Sequence, residues 1–193
     1  MAKKESTLFN MVSSLVVVTL VASTALGYVY ELTKGPIAAA KLAAKIAAID
    51  EVVVDYDNNP VDEMYKIPME GSEDSLEVYP AKKGEKLIAS AIRSYSPKGY
   101  GGNIWLMVGL LPDGKINNIA VLEHKETPGL GTKMNNEEFK NQFLGKDPAS
   151  FKLKVQKDGG DVDALTGATI TSRAFGSATQ LAFDAYMKGG LHE

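Results

Sequence analysis

The sequence predicts an α+β protein with one N-terminal transmembrane helix, followed by one domain with a mostly antiparallel sheet and flanking helices. Strand-like and helix-like stretches follow one another without regular alternation, which favours α+β over a parallel α/β arrangement. The chain also opens with a long apolar segment. Because it has 193 residues, the part after that segment can still form one full hydrophobic core. We expect residues 31–193 to form this domain, and we find no internal repeat.

The predicted anchor covers residues 8–30, where every side chain is uncharged. A helix needs about 20 such residues to cross a bilayer. Tyr28 and Tyr30 stand at its far end, where amphipathic rings favour the membrane interface. The alternative is a cleaved signal peptide with residues 22–25 as a small-residue cleavage site, but the apolar run is longer than a usual signal sequence. The pattern therefore favours a retained anchor.

The orientation of the anchor is predicted from Lys3 and Lys4, which precede it. Positive residues flanking a membrane span stay on the cytoplasmic side. We therefore expect residues 1–7 in the cytoplasm and residues 31–193 outside it, in the periplasm. The predicted localisation is the inner (cytoplasmic) membrane, crossed once.

Between the anchor and the sheet, Gly35-Pro36 interrupts the apolar run, and the Ala-rich residues 37–50 predict a helix that begins at the proline. This helix is either a stalk or the first helix of the domain, and we favour the second. Residues 52–56 are rich in β-branched side chains and predict a strand. Further strands are expected over residues 77–80, 86–95 and 151–155.

A β-hairpin is predicted over residues 104–123. Two apolar-rich runs, residues 104–111 and 115–123, surround the turn Pro112-Asp113-Gly114, which is the pattern of a hairpin. Residues 124–132 follow and are a loop by their proline and glycine content.

Two helices complete the chain. A short one is expected over residues 135–144, and a longer one opens near residue 169 and runs to Lys188, before Gly189-Gly190. The longer helix carries a broad apolar stripe that should face the core. Its members are Ala174, Phe175, Ala178, Leu181, Ala182, Ala185 and Tyr186.

The composition excludes several kinds of site. The chain has no cysteine, so it cannot form a disulfide, a thiolate zinc site or a cysteine-ligated iron–sulfur cluster. His124 and His192 are its only histidines, too few for a histidine-rich metal site. The net charge of −3 offers no basic footprint for nucleic acid. Any redox chemistry must therefore depend on an organic cofactor.

The stretch over residues 163–172 gathers hydroxyls and small side chains where the last helix begins. Helix starts have unpaired N–H groups and a positive dipole end, so they are suited to bind a phosphate. The alternative is structural: Thr166 or Ser172 caps the helix and Gly167 eases the turn. Glycine-bearing loops at residues 96–102 and 126–132 would let the backbone approach a flat ligand, or they simply end strands.

These segments resemble a known family. Residues 163–169 match the Asp-x-x-Ser/Thr-Gly-Ala-Thr signature of domains that carry covalently bound FMN, and residues 100–102 and 124–131 are similar to two further loops of that domain, in the same order. With one N-terminal transmembrane helix, the whole pattern resembles the G subunit of Rnf complexes, which are ion-translocating ferredoxin:NAD oxidoreductases. The C subunit of the sodium-pumping NADH:quinone reductase has the same layout.

The resemblance implies that a flavin transferase, using FAD as donor, esterifies the FMN phosphate to the hydroxyl of Thr169. Further cofactor contacts are implied in the signature at Asp163, Thr166, Gly167, Ala168 and Ser172. Contacts flanking the flavin ring are implied at Tyr100, Gly101, Gly102, Glu126, Thr127, Pro128, Gly129, Leu130, Gly131 and Thr132. No catalytic residue and no metal ligand are implied.

The resemblance also implies a role. The chain would relay electrons through FMN within a complex that includes other membrane and iron–sulfur subunits, and it would not be catalytic alone. Three alternatives remain open: a C-type subunit of the quinone reductase, a flavin-free scaffold subunit, and a flavin reductase acting alone. The last is disfavoured because no nucleotide-binding glycine fingerprint follows a strand.

Overall fold

The computed structural model describes residues 7–69 and 75–189. The chain divides into two compact units, Met1–Ala43 and Ala44–Glu193. Lys3 and Lys4, on which the predicted orientation depends, lie outside the described residues, as do Gly190 and His192.

Helix α1 (Leu8–Val52) is continuous through Pro36, so the predicted break at Gly35-Pro36 is wrong. Proline removes one backbone donor from a helix but keeps a helical φ, and the Ala-rich segment after it has high helix propensity. In the first unit the described side chains are nearly all exposed. Among the described residues α1 alone is long and apolar enough to cross a membrane, and it fits a single-pass anchor.

The second unit contains one five-stranded sheet. Its strands are β1 (Tyr65–Pro68), β2 (Ser75–Lys83), β3 (Lys86–Gly99), β4 (Gly102–Leu110) and β5 (Ile116–Glu123). They pair in chain order, each antiparallel to the next. The predicted α+β class, antiparallel sheet and hairpin around Pro112-Asp113-Gly114 are therefore confirmed. Strand β1 lies in a segment for which the sequence predicted no strand.

Helix α3 (Thr169–Lys188) covers one face of this sheet. The predicted apolar stripe is confirmed, since six of its seven members are buried and Leu181 is half-buried. These side chains pack on Ile92 and Leu106 of the sheet. They also pack on the short helix α2 (Glu137–Lys140), where the ring centres of Phe139 and Phe175 lie 5.2 Å apart. The start of α3 is thereby held at a fixed place beside the sheet.

The end of α1 covers the opposite face of the sheet. Side chains along a strand alternate between the two faces, so each face needs its own cover. Ile49 and Val52 pack on Tyr79 and Met107. The backbone at Gly109 passes so close that an added Cβ would lie 2.2 Å from the Val52 carbonyl oxygen.

Polar contacts secure the end of α1. Asn117 and Asn118 donate side-chain hydrogen bonds to the carbonyls of Val52 (2.7 Å) and Glu51 (3.0 Å), groups that have no partner within the helix. The ammonium of the buried Lys140 bonds to the Glu51 carboxylate at 2.8 Å. Burial would lower the pKa of Lys140, but Glu51 and Glu137 outweigh burial and raise it.

Three predicted elements differ in the structure. Residues 52–56 are not a strand. Val53 continues the last turn of α1, because its N–H donates to Ile49 O at 2.8 Å, and the buried Val52 and Val53 therefore belong to the end of a helix. Residues 151–155 are not a strand of the sheet; they pack under α3, where Gly176 would place a Cβ 2.1 Å from Leu153 O, and only Val155 forms an isolated bridge, with Val162. The helix predicted over residues 135–144 is shorter in the structure, where only α2 is helical. Turns follow it, in which a backbone N–H donates to the carbonyl three residues earlier.

Candidate functional site

The start of α3 is an uncapped helix N-terminus. Thr169 is its first residue, and Ala168 before it has φ −137° and ψ 44° and provides no side-chain cap. Gly167 has φ +77°, a left-handed conformation that glycine adopts at little cost. The first N–H groups of the helix therefore point outward without a capping oxygen, at the positive end of the dipole.

Ser172 secures the turn that leads into this helix. Its buried hydroxyl accepts a hydrogen bond from Leu165 N at 2.9 Å and donates one to Ala168 O at 3.0 Å. The N–H of Ala168 also donates to Leu165 O at 3.0 Å. Ser172, one of the predicted site residues, thus orients this turn. It does not line the cavity that lies beside the helix start.

That cavity has a volume of about 520 Å³, within the range of small-molecule sites. Its lining residues come from three segments: Tyr100, Glu126, Thr127, Leu130, Gly131, Gly167, Ala168, Thr169, Ile170 and Thr171. Three of these are exposed apolar side chains: Tyr100 at 72%, Leu130 at 44% and Ile170 at 46%. The cavity therefore combines apolar side chains with the open N-terminus of a helix.

Glu126 lies in the wall of this cavity and is only 5% exposed. One carboxylate oxygen accepts from Gly101 N at 2.9 Å, and the other accepts from the Thr171 hydroxyl at 2.5 Å. The N–H of Glu126 donates to Nδ1 of His124 at 3.2 Å. Glu126 thereby joins the β3–β4 turn and the loop after β5 to α3.

The glycines of the two loops have different roles. A Cβ at Gly131 would lie 2.6 Å from Oε2 of Glu126, and one at Gly101 would lie 1.9 Å from Lys125 O, so both are needed for close packing between segments. Gly129 and Gly102 face open space but have φ of +77° and +106°. They are needed for backbone conformation.

The remaining residues of the loop after β5 shape it. Thr132 accepts from Gly129 N at 2.9 Å, and the Thr127 carbonyl accepts from Leu130 N at 3.2 Å. Pro128 is exposed and does not line the cavity. The loop therefore presents Leu130 to the cavity on a backbone that its own hydrogen bonds hold.

The first half of the signature lies elsewhere. Asp163 and Thr166 line a separate cleft of about 250 Å³ beside Gln142. The amide of Gln142 accepts from Asp163 N at 2.7 Å and donates to Asp163 O at 3.3 Å. Asp163 and Thr166 thus do not line the cavity that Thr169 lines.

Two cavity residues, Ile170 and Thr171, were not predicted from the sequence, although both directly follow Thr169. Their place in the first turn of the predicted helix could have indicated them. Trp105 is half-buried on the sheet, where its ring lies 4.7 Å from the ring of Tyr95 and 4.0 Å from the Arg93 guanidinium.

A second cavity of about 760 Å³ adjoins the first and shares Ile170 with it. At its edge Arg173 and Asp158 form a bidentate pair at 2.6 and 2.9 Å. The hydrogen bonds from Arg173 hold the pKa of the exposed Asp158 below its usual value. This pair fixes the 3-10 helix Gln156–Asp158 against α3.

Comparison with known proteins identifies the family. A family model described as "FMN-binding domain" matches residues 99–184. The chain is 40% identical over 141 residues to the G subunit of the ion-translocating oxidoreductase complex of Erwinia tasmaniensis, covering 68% of this chain and 67% of that one. It is 35% identical over 175 residues to the G subunit of the proton-translocating ferredoxin:NAD(+) oxidoreductase complex of Clostridium ljungdahlii, covering 89% and 88%.

The fold also matches a solved structure. Shewanella oneidensis NqrC superposes with a TM-score of 0.51 at 22% identity, over 75% of this chain and 81% of that one. This similarity supports the fold, whereas the sequence identities over most of both chains define the family. The chain belongs to the family of G subunits of ion-translocating oxidoreductase complexes.

Proposed function

We propose that this chain is the membrane-anchored flavoprotein subunit of an Rnf-type complex and relays electrons through FMN esterified to Thr169. The observation that carries the proposal is the position of Thr169, the first residue of an uncapped helix and part of the cavity lining. A phosphoester on its hydroxyl would lie beside unpaired N–H donors at the positive end of the helix dipole.

The residues of the cavity fit FMN. Tyr100, Leu130 and Ile170 offer apolar surfaces to a flat ring system, and the first turn of α3 offers N–H donors to the phosphate. When bound, FMN supplies the capacity to accept and release electrons, and the protein positions it and tunes its potential. Ser172 and Gly167 hold the turn, and Glu126 holds the two loops to α3.

Attachment requires a second protein. In the proposed maturation step the Thr169 oxygen forms a bond to the FMN phosphorus of FAD, the pyrophosphate bond of FAD breaks, and AMP leaves with the hydroxyl proton. We assign this step to a flavin transferase that recognises residues 163–169. Because Asp163 and Thr166 line a different cleft from Thr169, the signature offers the transferase a surface that the attached flavin need not cover.

The proposed setting is the inner membrane, with the domain on the extracytoplasmic side. Helix α1 supplies the anchor, and Lys3 and Lys4 supply the orientation through their positive charge. Electrons would pass between FMN and redox centres on other membrane and iron–sulfur subunits. A C-type subunit of the quinone reductase is the alternative, and the similarity in fold to NqrC favours it as second candidate.

The test is co-expression of the full chain with a flavin transferase, followed by denaturing gel electrophoresis. We expect yellow protein whose band fluoresces in the gel, because a phosphoester survives denaturation. A colourless, non-fluorescent band would favour the flavin-free scaffold. Steady-state turnover of the isolated subunit with NADH would instead indicate a flavin reductase acting alone.

A further inference from the structure

The wall of the cavity contains an ionisable group that attachment of a flavin does not explain. Glu126 is 5% exposed, and burying a carboxylate is costly unless the charge is compensated. Most buried carboxylates are paired with a cation. Within residues 7–69 and 75–189, Glu126 has no ion-pair partner, and its oxygens accept only from one backbone N–H and one hydroxyl.

The hydrogen bonds at Glu126 suit an ionised carboxylate. Both oxygens of Glu126 act as acceptors, and an ionised carboxylate can only accept. The negative charge is therefore stabilised by the dipoles of Gly101 and Thr171, and no cation among the described residues neutralises it locally. In a partly desolvated cavity wall such a charge acts over a longer distance than it would in water.

The packing leaves the carboxylate little freedom. A Cβ at Gly99 would lie 2.7 Å from Oε1, and a Cβ at Gly131 would lie 2.6 Å from Oε2. Gly99, at the end of β3, thus lies against one carboxylate oxygen, and Gly131, in the loop after β5, lies against the other. Only small residues at these positions admit a carboxylate there, so the charge is held at a fixed place beside the cavity.

We propose that Glu126 is a positioning residue whose fixed negative charge lowers the redox potential of the cofactor bound in this cavity. The inference rests on the proposed function, since it needs FMN beside Thr169. Any group that gains an electron from a partner redox centre gains negative charge, and a neighbouring negative charge opposes that gain. A residue that served only to join the loops would affect stability and leave the potential unchanged.

The experiment compares flavin midpoint potentials in the full chain co-expressed with a flavin transferase. Glu126→Gln keeps the shape, lets the amide oxygen accept from Gly101 N, and lets the amide nitrogen donate to the Thr171 hydroxyl. Glu85→Gln is the matched control, because Glu85 is exposed in the turn between β2 and β3. Covalent flavin is first verified in each protein by in-gel fluorescence.

We expect Glu126→Gln to raise the potential by about 29.6 mV for a two-electron couple, so that the ratio of reduced to oxidised flavin at a given ambient potential rises about tenfold. Glu85→Gln should match the wild type. Covalently loaded Glu126→Gln with an unchanged potential would overturn the inference. A wild-type protein without covalent flavin would instead refute the proposed function and would be recognised before any potential is measured.

A second pair of variants keeps the test decisive if Glu126→Gln does not fold. Thr171→Val retains the charge but removes its hydroxyl donor, so the carboxylate is less compensated and the potential should fall. Thr171→Ser restores the donor and should match the wild type. Equal potentials in the two Thr171 variants would overturn the inference, whereas a decrease confined to Thr171→Val would support it.

Discussion

Replacing Gly131 with alanine tests the packing that joins the loop after β5 to α3. The new Cβ would lie 2.6 Å from Oε2 of Glu126, 2.7 Å from its Cβ and 2.9 Å from the Thr171 hydroxyl. Contacts of this kind force neighbouring atoms to shift, and overpacking typically costs about 1–3 kcal/mol. Because Cβ of Glu126 cannot move without its backbone, we expect a loss of about 2 kcal/mol in the free energy of unfolding.

Gly129 supplies the matched control. An alanine there would meet open space but would keep a φ of +77°, which costs roughly 1 kcal/mol for a residue with a Cβ. Gly129→Ala should therefore destabilise the fold without touching Glu126. With attached flavin, only Gly131→Ala should shift the flavin absorbance, and both variants should keep the ester because Thr169 is unaffected.

The assay is thermal unfolding of the detergent-solubilised full chain, followed by the fluorescence of Trp105, the single tryptophan. A loss of about 2 kcal/mol corresponds to a decrease in Tm of about 4–8 °C for a domain of this size. In a Glu126→Gly background both contacts with Glu126 disappear and only the one with Thr171 remains, so Gly131→Ala should cost at least about 1 kcal/mol less than in the wild type. Additive effects of the two substitutions would refute the packing argument.

The remaining predictions concern attachment, topology and the α1 junction. Thr169→Val, which keeps the β-branched shape, should abolish covalent flavin, whereas Thr171→Val should retain it; peptide mass spectrometry locates the FMN mass, and full covalent flavin in Thr169→Val would contradict the assignment. A cysteine at Lys188 should react with a membrane-impermeant reagent in cells with a permeabilised outer barrier, and labelling only after inner-membrane lysis would reverse the orientation. Lys140→Met should cost about 1 kcal/mol, since the partner carboxylates are partly exposed. Because the folded-state pKa of Lys140 is raised, its contribution is complete below the unfolded-state pKa and is lost as the pH rises through the folded value. The Tm of the wild type should therefore fall more steeply than that of Lys140→Met as the pH rises into the alkaline range, because only the wild type loses the contribution of Lys140.

Elements with a strong local pattern were predictable from the sequence. The uncharged run of residues 8–30 is long enough to span a membrane, and the stripe on α3 repeats at helical spacing. The hairpin around Pro112-Asp113-Gly114 has two apolar runs and a turn. In each case neighbouring residues along the chain contain the whole signal, so tertiary contacts only reinforce it. The signature ending at Thr169 was equally readable, because its residues are contiguous.

Other features depend on contacts between distant segments. Residues 52–56 have strand propensity, but the helix before them continues because Val52 is buried against β4 and the last carbonyls are bound by Asn117 and Asn118. Residues 151–155 alternate like a strand, yet they pack under α3, where Gly176 admits the Leu153 carbonyl, and they do not join the five-stranded sheet. Tertiary burial overrides local propensity in both.

The site divides along the same line. The place of Thr169 at a helix start was readable from the sequence, because a hydroxyl that follows Gly-Ala is a local pattern. The separation of Asp163 and Thr166 from the cavity was not readable, nor was the burial of Glu126 between Gly99, Gly131 and Thr171. A buried charge is defined by what surrounds it in space, and those groups lie up to 45 positions from Glu126 in the chain. Only the folded chain brings them within hydrogen-bond distance.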